Sequence, residues 1–230
     1  MFKTDEEKKE KWYQQRWAKF TASENYKLLT NDKKGNVFGS TAWDYIEEKA
    51  MQMCTVMWEK PSLDGVEAIL HGGMYEYPAY QEYVRVTGLT DMIYLGSENP
   101  LFLDDEQLKG ESGGSPDTIL LNSNAEITRM AELKCPKNPM NHFRRLKWKD
   151  QWDVKENYIQ AYSQIQNLLK ISPQTPVCDF VSFDERMKNH ALKIKIIPVY
   201  PDKKFQDNLH LRLIKGIEEK HKIIKQYGCY

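Results

Sequence analysis

Between Gly113 and Pro136 the chain reads GGSPDTILLNSNAEITRMAELKCP, and this stretch limits its folding choices more than any other. Two apolar runs, residues 118–121 and 127–135, are parted by an Asn-rich turn, the pattern of a β-hairpin. Alternate side chains of a strand take opposite faces, so Glu132 and Lys134 share one face while Leu133 and Cys135 take the other. A two-residue turn at Ser123 and Asn124 pairs Asn122 with Ala125 and sets Asp117 opposite Met130. Glu132 is then the diagonal neighbour of Asp117 on the same face, with Cβ atoms about 7 Å apart. A one-residue slip would put the two acids on opposite faces. In the predicted register, two hard oxygen ligands with room for waters suit Mg2+ or Mn2+ rather than zinc. Lys134 beside them can stabilise charge on a phosphate, or position and help deprotonate an attacking water. The competing interpretation is a surface hairpin carrying an exposed salt bridge between strands.

Other metal chemistry is disfavoured by composition. The 4 cysteines, Cys54, Cys135, Cys178 and Cys229, are far apart with no CxxC spacing, and the 5 histidines are dispersed. This argues against a zinc knuckle and a disulfide framework, and fits a reducing cytosol. The charged N-terminus has no signal-peptide pattern, and no apolar run is long enough to cross a bilayer, so a cytoplasmic protein is expected. With 33 basic and 33 acidic residues, net charge gives no general support to nucleic-acid binding. One local run does: Lys134, Lys137, Arg144, Arg145, Lys147 and Lys149 occur without an intervening acid, with Phe143 and Trp148 among them.

The remaining periodicities predict helices over residues 8–16, 41–59, 66–86, 154–170 and 202–225, the third bent near Gly72, Gly73 and Pro78. Thr21 and Ser23 are placed to cap a further short helix ending near Thr30. Trp43, Ile46, Ala50, Met53, Cys54 and Met57 would form the buried stripe of the second long helix. Strands are predicted at residues 91–95, 100–103, 177–183 and 192–199, besides the hairpin. The sum is α/β, a mixed central sheet flanked by helices, in a single domain over residues 1–230. Its parts would be a helical N-terminal region to about 88, a sheet-containing core over 89–200, and a closing helix over 202–225.

The local sequence GGSPDTIL…AELKCP resembles the signature of the PD-(D/E)xK nuclease superfamily, and in this form that of the lambda-exonuclease, YqaJ-like viral recombinase family. Three further stretches agree in order. WYQQRWAKFTASE resembles the family's opening motif, which places Arg16 and Ser23 on positions that bind a DNA 5′-phosphate. HGGMYEYPA resembles its Gly-x-x-Tyr-Glu helix, which makes Glu76 a contributor to the metal site. YSQIQNLLK and DFVSFDERM resemble its Gln-x-Gln helix and the strand after it; Gln164 matches the active-site glutamine and Gln166 its companion. Asp184, Arg186 and Met187 match in type, with no catalytic role assigned. The matches span residues 12–187. The interval from Asp117 to Glu132 is longer than in the lambda enzyme, and Thr118 replaces a common glycine.

The resemblance implies a restriction-endonuclease-like core and a metal-dependent 5′-to-3′ exonuclease that degrades one strand of duplex DNA from its ends, leaving 3′ overhangs for recombination by annealing. It implies two Mg2+ ions per active site, with Mn2+ as the alternative, held by Asp117, Glu132, the Leu133 carbonyl and Glu76, with Lys134 and Gln164 as further catalytic groups. Lys137, Arg144 and Arg145 are candidate DNA-backbone contacts. A homotrimeric ring, a single-strand annealing partner, and a phage-type origin with location in a bacterial host's cytoplasm are implied as well. The alternatives are another endonuclease or structure-selective nuclease of the superfamily, or a non-catalytic DNA-end-binding protein.

Overall fold

The computed structural model describes residues 5–32, 37–56, 67–96 and 99–229. Residues 57–59 of the predicted second long helix, and residue 66 of the third, lie outside them. A five-stranded mixed sheet organises the fold: β2 (Ile93–Tyr94), β5 (Thr118–Leu121), β6 (Ile127–Lys134), β7 (Cys178–Phe183) and β8 (Ile194–Val199), hydrogen-bonded in that order. Its pairs are antiparallel except β6 with β7, which is parallel. A parallel pair needs a crossover, and here it is helical: α4 (Pro139–Arg145), α5 (Gln151–Asn157) and α6 (Ile159–Ile171).

The alternation of β6 decides what each face meets. Met130 belongs to a core cluster with Ile165 and Leu168 of α6 and Leu209 and Leu213 of α7 (Lys203–Tyr227). Ala131 and Leu133, on the other face, pack with Ala79 and Tyr83 of α3 (Glu67–Thr87). Both faces of the sheet are thus covered, which is why the central strand β7 is buried along its whole length and reads as a continuous apolar run. Where that run is interrupted, the acid is satisfied: Asp179 is fully buried and accepts from Tyr83 Oη at 2.5 Å and from Arg129 Nε and Nη2 at 2.7 and 3.0 Å.

Among the described residues the N-terminal region is mainly helical, as expected, with one short strand. After α1 (Asp5–Arg16), Phe20–Thr21 forms β1, which runs parallel to β4 (Ser112–Gly114); β3 (Leu103–Asp104) completes a second, three-stranded sheet. Thr21 and Ser23 therefore cap no helix. The short turn of 3-10 helix at Asn25–Leu29 starts after Glu24, without a side-chain cap. The two glycines of GGSPD permit the close approach of layers here: a Cβ on Gly113 would meet Phe102 and the Leu103 carbonyl at 2.4–2.5 Å, and one on Gly114 would meet Ala22 at 2.7 Å.

Helix α2 (Ser40–Cys54) buries Ala42, Tyr45, Ile46, Lys49 and Ala50, so Ile46 and Ala50 of the predicted stripe are in the core, while Trp43 and Met53 are exposed and Met57 lies outside the described residues. Helix α7 follows its sequence signals closely. The Asp202 side chain accepts from Phe205 N at 3.1 Å, and Gly228 closes the other end with φ +67°. Its last turn lies beside the end of α2, where Cys54 and Cys229 form a disulfide with Cα atoms 5.2 Å apart. This overturns the expectation of unpaired cysteines: 175 residues separate the two in sequence, and only the packing of α2 on α7 brings them together. No helix among the described residues is long and apolar enough to cross a membrane.

Candidate active site

The hairpin holds its acids by a different register from the predicted one. Asn122 N–H donates to the Glu126 carbonyl and Ala125 N–H to the Asn122 carbonyl, both at 3.0 Å, with Ala125 at φ +59°. The loop is therefore three residues, a turn followed by a left-handed position, braced by Asn122 Oδ1 accepting from Asn124 N and Glu126 N. This moves the pairing by one residue. A bulge then moves it by a second, because Leu121 pairs with Ile127 but Leu120 with Arg129. Beyond it Thr118 pairs with Ala131, and one step further along the ladder Asp117 stands opposite Glu132. Two one-residue shifts restore the original face, so the acids share a face as expected, directly across rather than diagonally.

That face is not a surface. Glu132 is 1% exposed, covered by α6. Its Oε1 accepts from Lys134 Nζ at 2.5 Å, while Oε2 is buried without a partner. Lys134 Nζ also donates to Gln164 Oε1 on α6 at 3.3 Å. Asp117 keeps part of its surface open to the cleft, and its Oδ2 accepts from Leu133 N at 2.6 Å. Glu76, from α3 on the far wall, accepts from Tyr94 Oη at 3.0 Å. Asp117, Glu76, Lys134 and Leu133 line one cleft of about 890 Å3, with Gly72, Gly73, Arg145 and Tyr158.

The electrostatics are those of anions crowded without enough cation. Burial first, then the charges of Glu132 and Glu76, push the Asp117 carboxyl well above the usual range. Burial raises Glu132 in spite of Lys134, and raises Glu76 with help from the Glu132 charge. Burial works against the Lys134 ammonium, but Glu132 and Asp117 outweigh it and hold the group above the ordinary lysine range. The Cys135 thiol, pushed up to about 12 by burial and by Glu76 and Asp117, is not a nucleophile here.

The donor set fits a hard divalent cation. Asp117, Glu132 and Glu76 supply only oxygen, the orphaned Glu132 Oε2 is a buried acceptor in search of a positive partner, and the mutual repulsion of the three is what an ion would relieve. Among the described residues, no three acid, His or Cys side chains already converge as a coordination shell. The local donors Leu133 N, Lys134 Nζ and Tyr94 Oη hold the carboxylates instead.

The other candidate residues divide. Arg16 Nη2 donates to Ser23 Oγ at 3.4 Å, and the guanidinium lies over the Trp12 ring at 4.3 Å. Trp12 Nε1 in turn donates to Ser115 Oγ at 2.8 Å, two residues before Asp117, so the Arg16–Ser23 pair is tied to the loop that carries the acid. The two glutamines are not a solvent-facing pair: Gln164 reaches Lys134, whereas the buried Gln166 bonds the Tyr200 carbonyl and Asp202 N, fixing the entry to α7. Arg186 grips Asp184 and also donates to the carbonyls of Pro136 and Lys137, which pins the chain just beyond Lys134. Lys137 and Arg144 are exposed on the cleft side, but Arg145 is buried. Sequence reasoning missed Tyr158, which ends α5 and interrupts the single helix predicted over 154–170. It also missed α4, although Asn138 followed by Pro139 is a legible start signal.

The family profile of the YqaJ-like viral recombinase domain matches residues 11–174. No curated protein matches. Among solved structures, the alkaline exonuclease LHK-Exo from Laribacter hongkongensis superposes with a TM-score of 0.75 at 21% identity, over 95% of this chain and 96% of that one. Its complex with dAMP gives 0.75 at 22% identity, over 95% of both chains. A phage-related exonuclease from Haemophilus somnus 129PT gives 0.65 at 14%, over 91% and 96%.

Proposed function

The chain belongs to the YqaJ-like viral recombinase family, and from that premise we propose that it is a metal-dependent exonuclease that removes the 5′-ended strand of duplex DNA, leaving 3′ overhangs for strand annealing. One observation carries this reading: Asp117 stands across the ladder from Glu132, with Lys134, Gln164 and Glu76 around them, beside a cleft of about 890 Å3. Asp117, Glu132, the Leu133 carbonyl and Glu76 would hold Mg2+ or Mn2+. One or two such ions would supply Lewis-acid activation of water and of the scissile phosphodiester. Lys134, held between Glu132 and Gln164, would steady the charge that develops on the phosphate. Gln164 orients the Lys134 ammonium. Arg16 and Ser23, tied through Trp12 to Ser115, would receive the 5′-phosphate and so set the distance from the strand end to the cut. Lys137 and Arg144 would follow the backbone along the rim. A ring of three copies and a single-strand annealing protein complete the proposal by family analogy.

The test is digestion of linear 5′-phosphorylated duplex in Mg2+, against the same DNA as a covalently closed circle and with a 5′-hydroxyl end. Loss of the linear 5′-phosphorylated strand alone is expected, with activity falling as salt rises because phosphate contacts release counterions. Cutting of the circle would make the protein an endonuclease of the same superfamily, and binding without cutting an end-binding protein.

A smaller effect follows from Gly72 and Gly73 on α3. A Cβ at either would meet nothing within 4 Å, although both lie inside a helix and line the cleft. Internal packing therefore does not require glycine there, and a helix-interior glycine costs about 0.5–1 kcal/mol relative to alanine. Gly72→Ala is expected to raise the melting temperature by roughly 1–4 °C and to weaken DNA degradation, because the bare helix face is where the DNA backbone would approach. A variant that gains stability with full activity would place the DNA elsewhere.

A further inference from the structure

Arg145 is the buried exception in the basic run. It is 7% exposed, and among the described residues no carboxylate pairs with it. Its guanidinium sits 4.6 Å from the Tyr158 ring centroid, 5.7 Å from Phe180 and 5.9 Å from Trp148, and Nη1 donates to Ser182 Oγ at 3.3 Å. Aromatic faces attract a cation, but they neutralise no charge, and a buried arginine without an anion is expensive. Burial accordingly depresses its hold on the proton. Other buried cations of this chain have acids: Lys220 has Glu111, and Lys49 has Glu48.

The location supplies the reason. Arg145 and Tyr158 line the cleft that holds Asp117 and Lys134, and they also line a second groove of about 340 Å3 with Asn141, Arg144 and Asn157. The two cavities share Asn141, Arg145 and Tyr158, so one continuous trough runs from the acids past the guanidinium. Tyr158 can present its ring there because it leaves the helical region, with φ −150° and ψ 64°, between α5 and α6. Its ring packs edge-on to Phe180 at 6.2 Å and closes one side of the cage.

Resting on the nuclease reading above, we propose that Arg145 is the anchor of a second, non-scissile phosphate of the bound DNA, with Asn141 and Asn157 as neutral donors beside it. Arginine suits this use because its planar fork donates two parallel hydrogen bonds to a phosphate while its faces remain stacked. The subsite would hold the DNA backbone in line with Lys134 during cleavage, separately from capture of the 5′-phosphate by Arg16 and Ser23.

The experiment uses duplexes carrying a neutral methylphosphonate at one linkage at a time, with binding measured in Ca2+ and cleavage in Mg2+. For the wild type, one linkage other than the scissile one should weaken binding roughly ten-fold, the worth of one charge-assisted contact. Arg145→Gln should bind unmodified DNA about ten-fold more weakly, become insensitive at that linkage alone, and lose about 1 from the slope of log affinity against log salt. Arg145→Lys, which keeps charge without the fork, should recover part of the affinity; Arg144→Gln should keep the sensitivity at that one linkage. Thermal melting separates a folding defect, and affinities are compared at temperatures where every variant is folded. Unchanged affinity and pattern in Arg145→Gln overturn the proposal, as does equal weakening at every linkage with a lowered melting temperature. If wild type binds but never cuts in Mg2+, the nuclease reading fails, and the Ca2+ pattern still decides Arg145.

Discussion

Asp117→Asn and Lys134→Ala are each expected to slow degradation of linear duplex DNA by about 10²–10³-fold or more, measured in a single turnover at saturating DNA. The two act on different terms. Asparagine keeps the shape and the acceptor for Leu133 N but removes a charge needed to hold a divalent ion. Alanine removes the ammonium that lies 2.5 Å from Glu132 Oε1 and 3.3 Å from Gln164 Oε1, and so removes stabilisation of charge on the phosphate. Affinity for the DNA end should change far less than the rate, because Arg16 and Ser23 stand apart from this pair. Lys134→Ala also leaves Glu132 buried without its cation, so its rate is to be compared at temperatures where melting shows both proteins folded. Either variant digesting DNA at the wild-type rate removes its residue from the catalytic site.

The second large effect is on stability, and its sign follows from the raised acids. Burial and mutual repulsion raise the Asp117, Glu132 and Glu76 carboxyls above their ordinary values in the folded protein, Asp117 furthest. Between the unfolded and folded values the native state binds more protons than the unfolded chain, so the metal-free protein loses stability as pH rises through that window. A divalent cation bound by the acids reverses this. At an ion concentration 100 times its dissociation constant, the gain is about 2.7 kcal/mol, or roughly 5–10 °C in melting temperature for a chain of this size. The shift on adding Mg2+ should be largest near about pH 8 and small near about pH 5.5, where protons compete for the same oxygens. In EDTA near about pH 8, Asp117→Asn should melt above wild type, since one of the repelling charges is gone, and should respond little to Mg2+. A melting temperature indifferent to Mg2+ at both pH values would show that the acids hold no such ion.

How much of this was readable beforehand varies from residue to residue. Strand alternation put Glu132 with Lys134, because the period of a strand is two and needs no knowledge of neighbours. The common face of Asp117 and Glu132 was reached through a register that the structure does not adopt. The three-residue loop and the bulge after Leu120 each move the pairing by one, and neither has an unmistakable mark in SNAE, where a non-glycine residue, Ala125, takes the left-handed position. The extent of α7 was legible from its periodicity, predicted over 202–225 and found over Lys203–Tyr227. The break at Tyr158 was not, since its cause is the docking of that ring against Phe180 and Arg145, residues distant in sequence.

The pattern of charged and apolar positions along β6 determined which side chains face the candidate site, and the motif order named the family to which the chain belongs. Composition and spacing left undecided how deeply that site is buried, since Glu132 is covered only because α6 crosses from β6 to β7 over its face. They pointed away from a Cys54–Cys229 disulfide, and they were silent on the division of labour between Gln164 and Gln166 and on the isolation of Arg145. Periodicity and capping act over one or two turns of chain, so a sequence carries them openly. Burial, pairing and the absence of a counter-ion depend on elements 30 to 175 residues apart, and these exist only once the layers have packed.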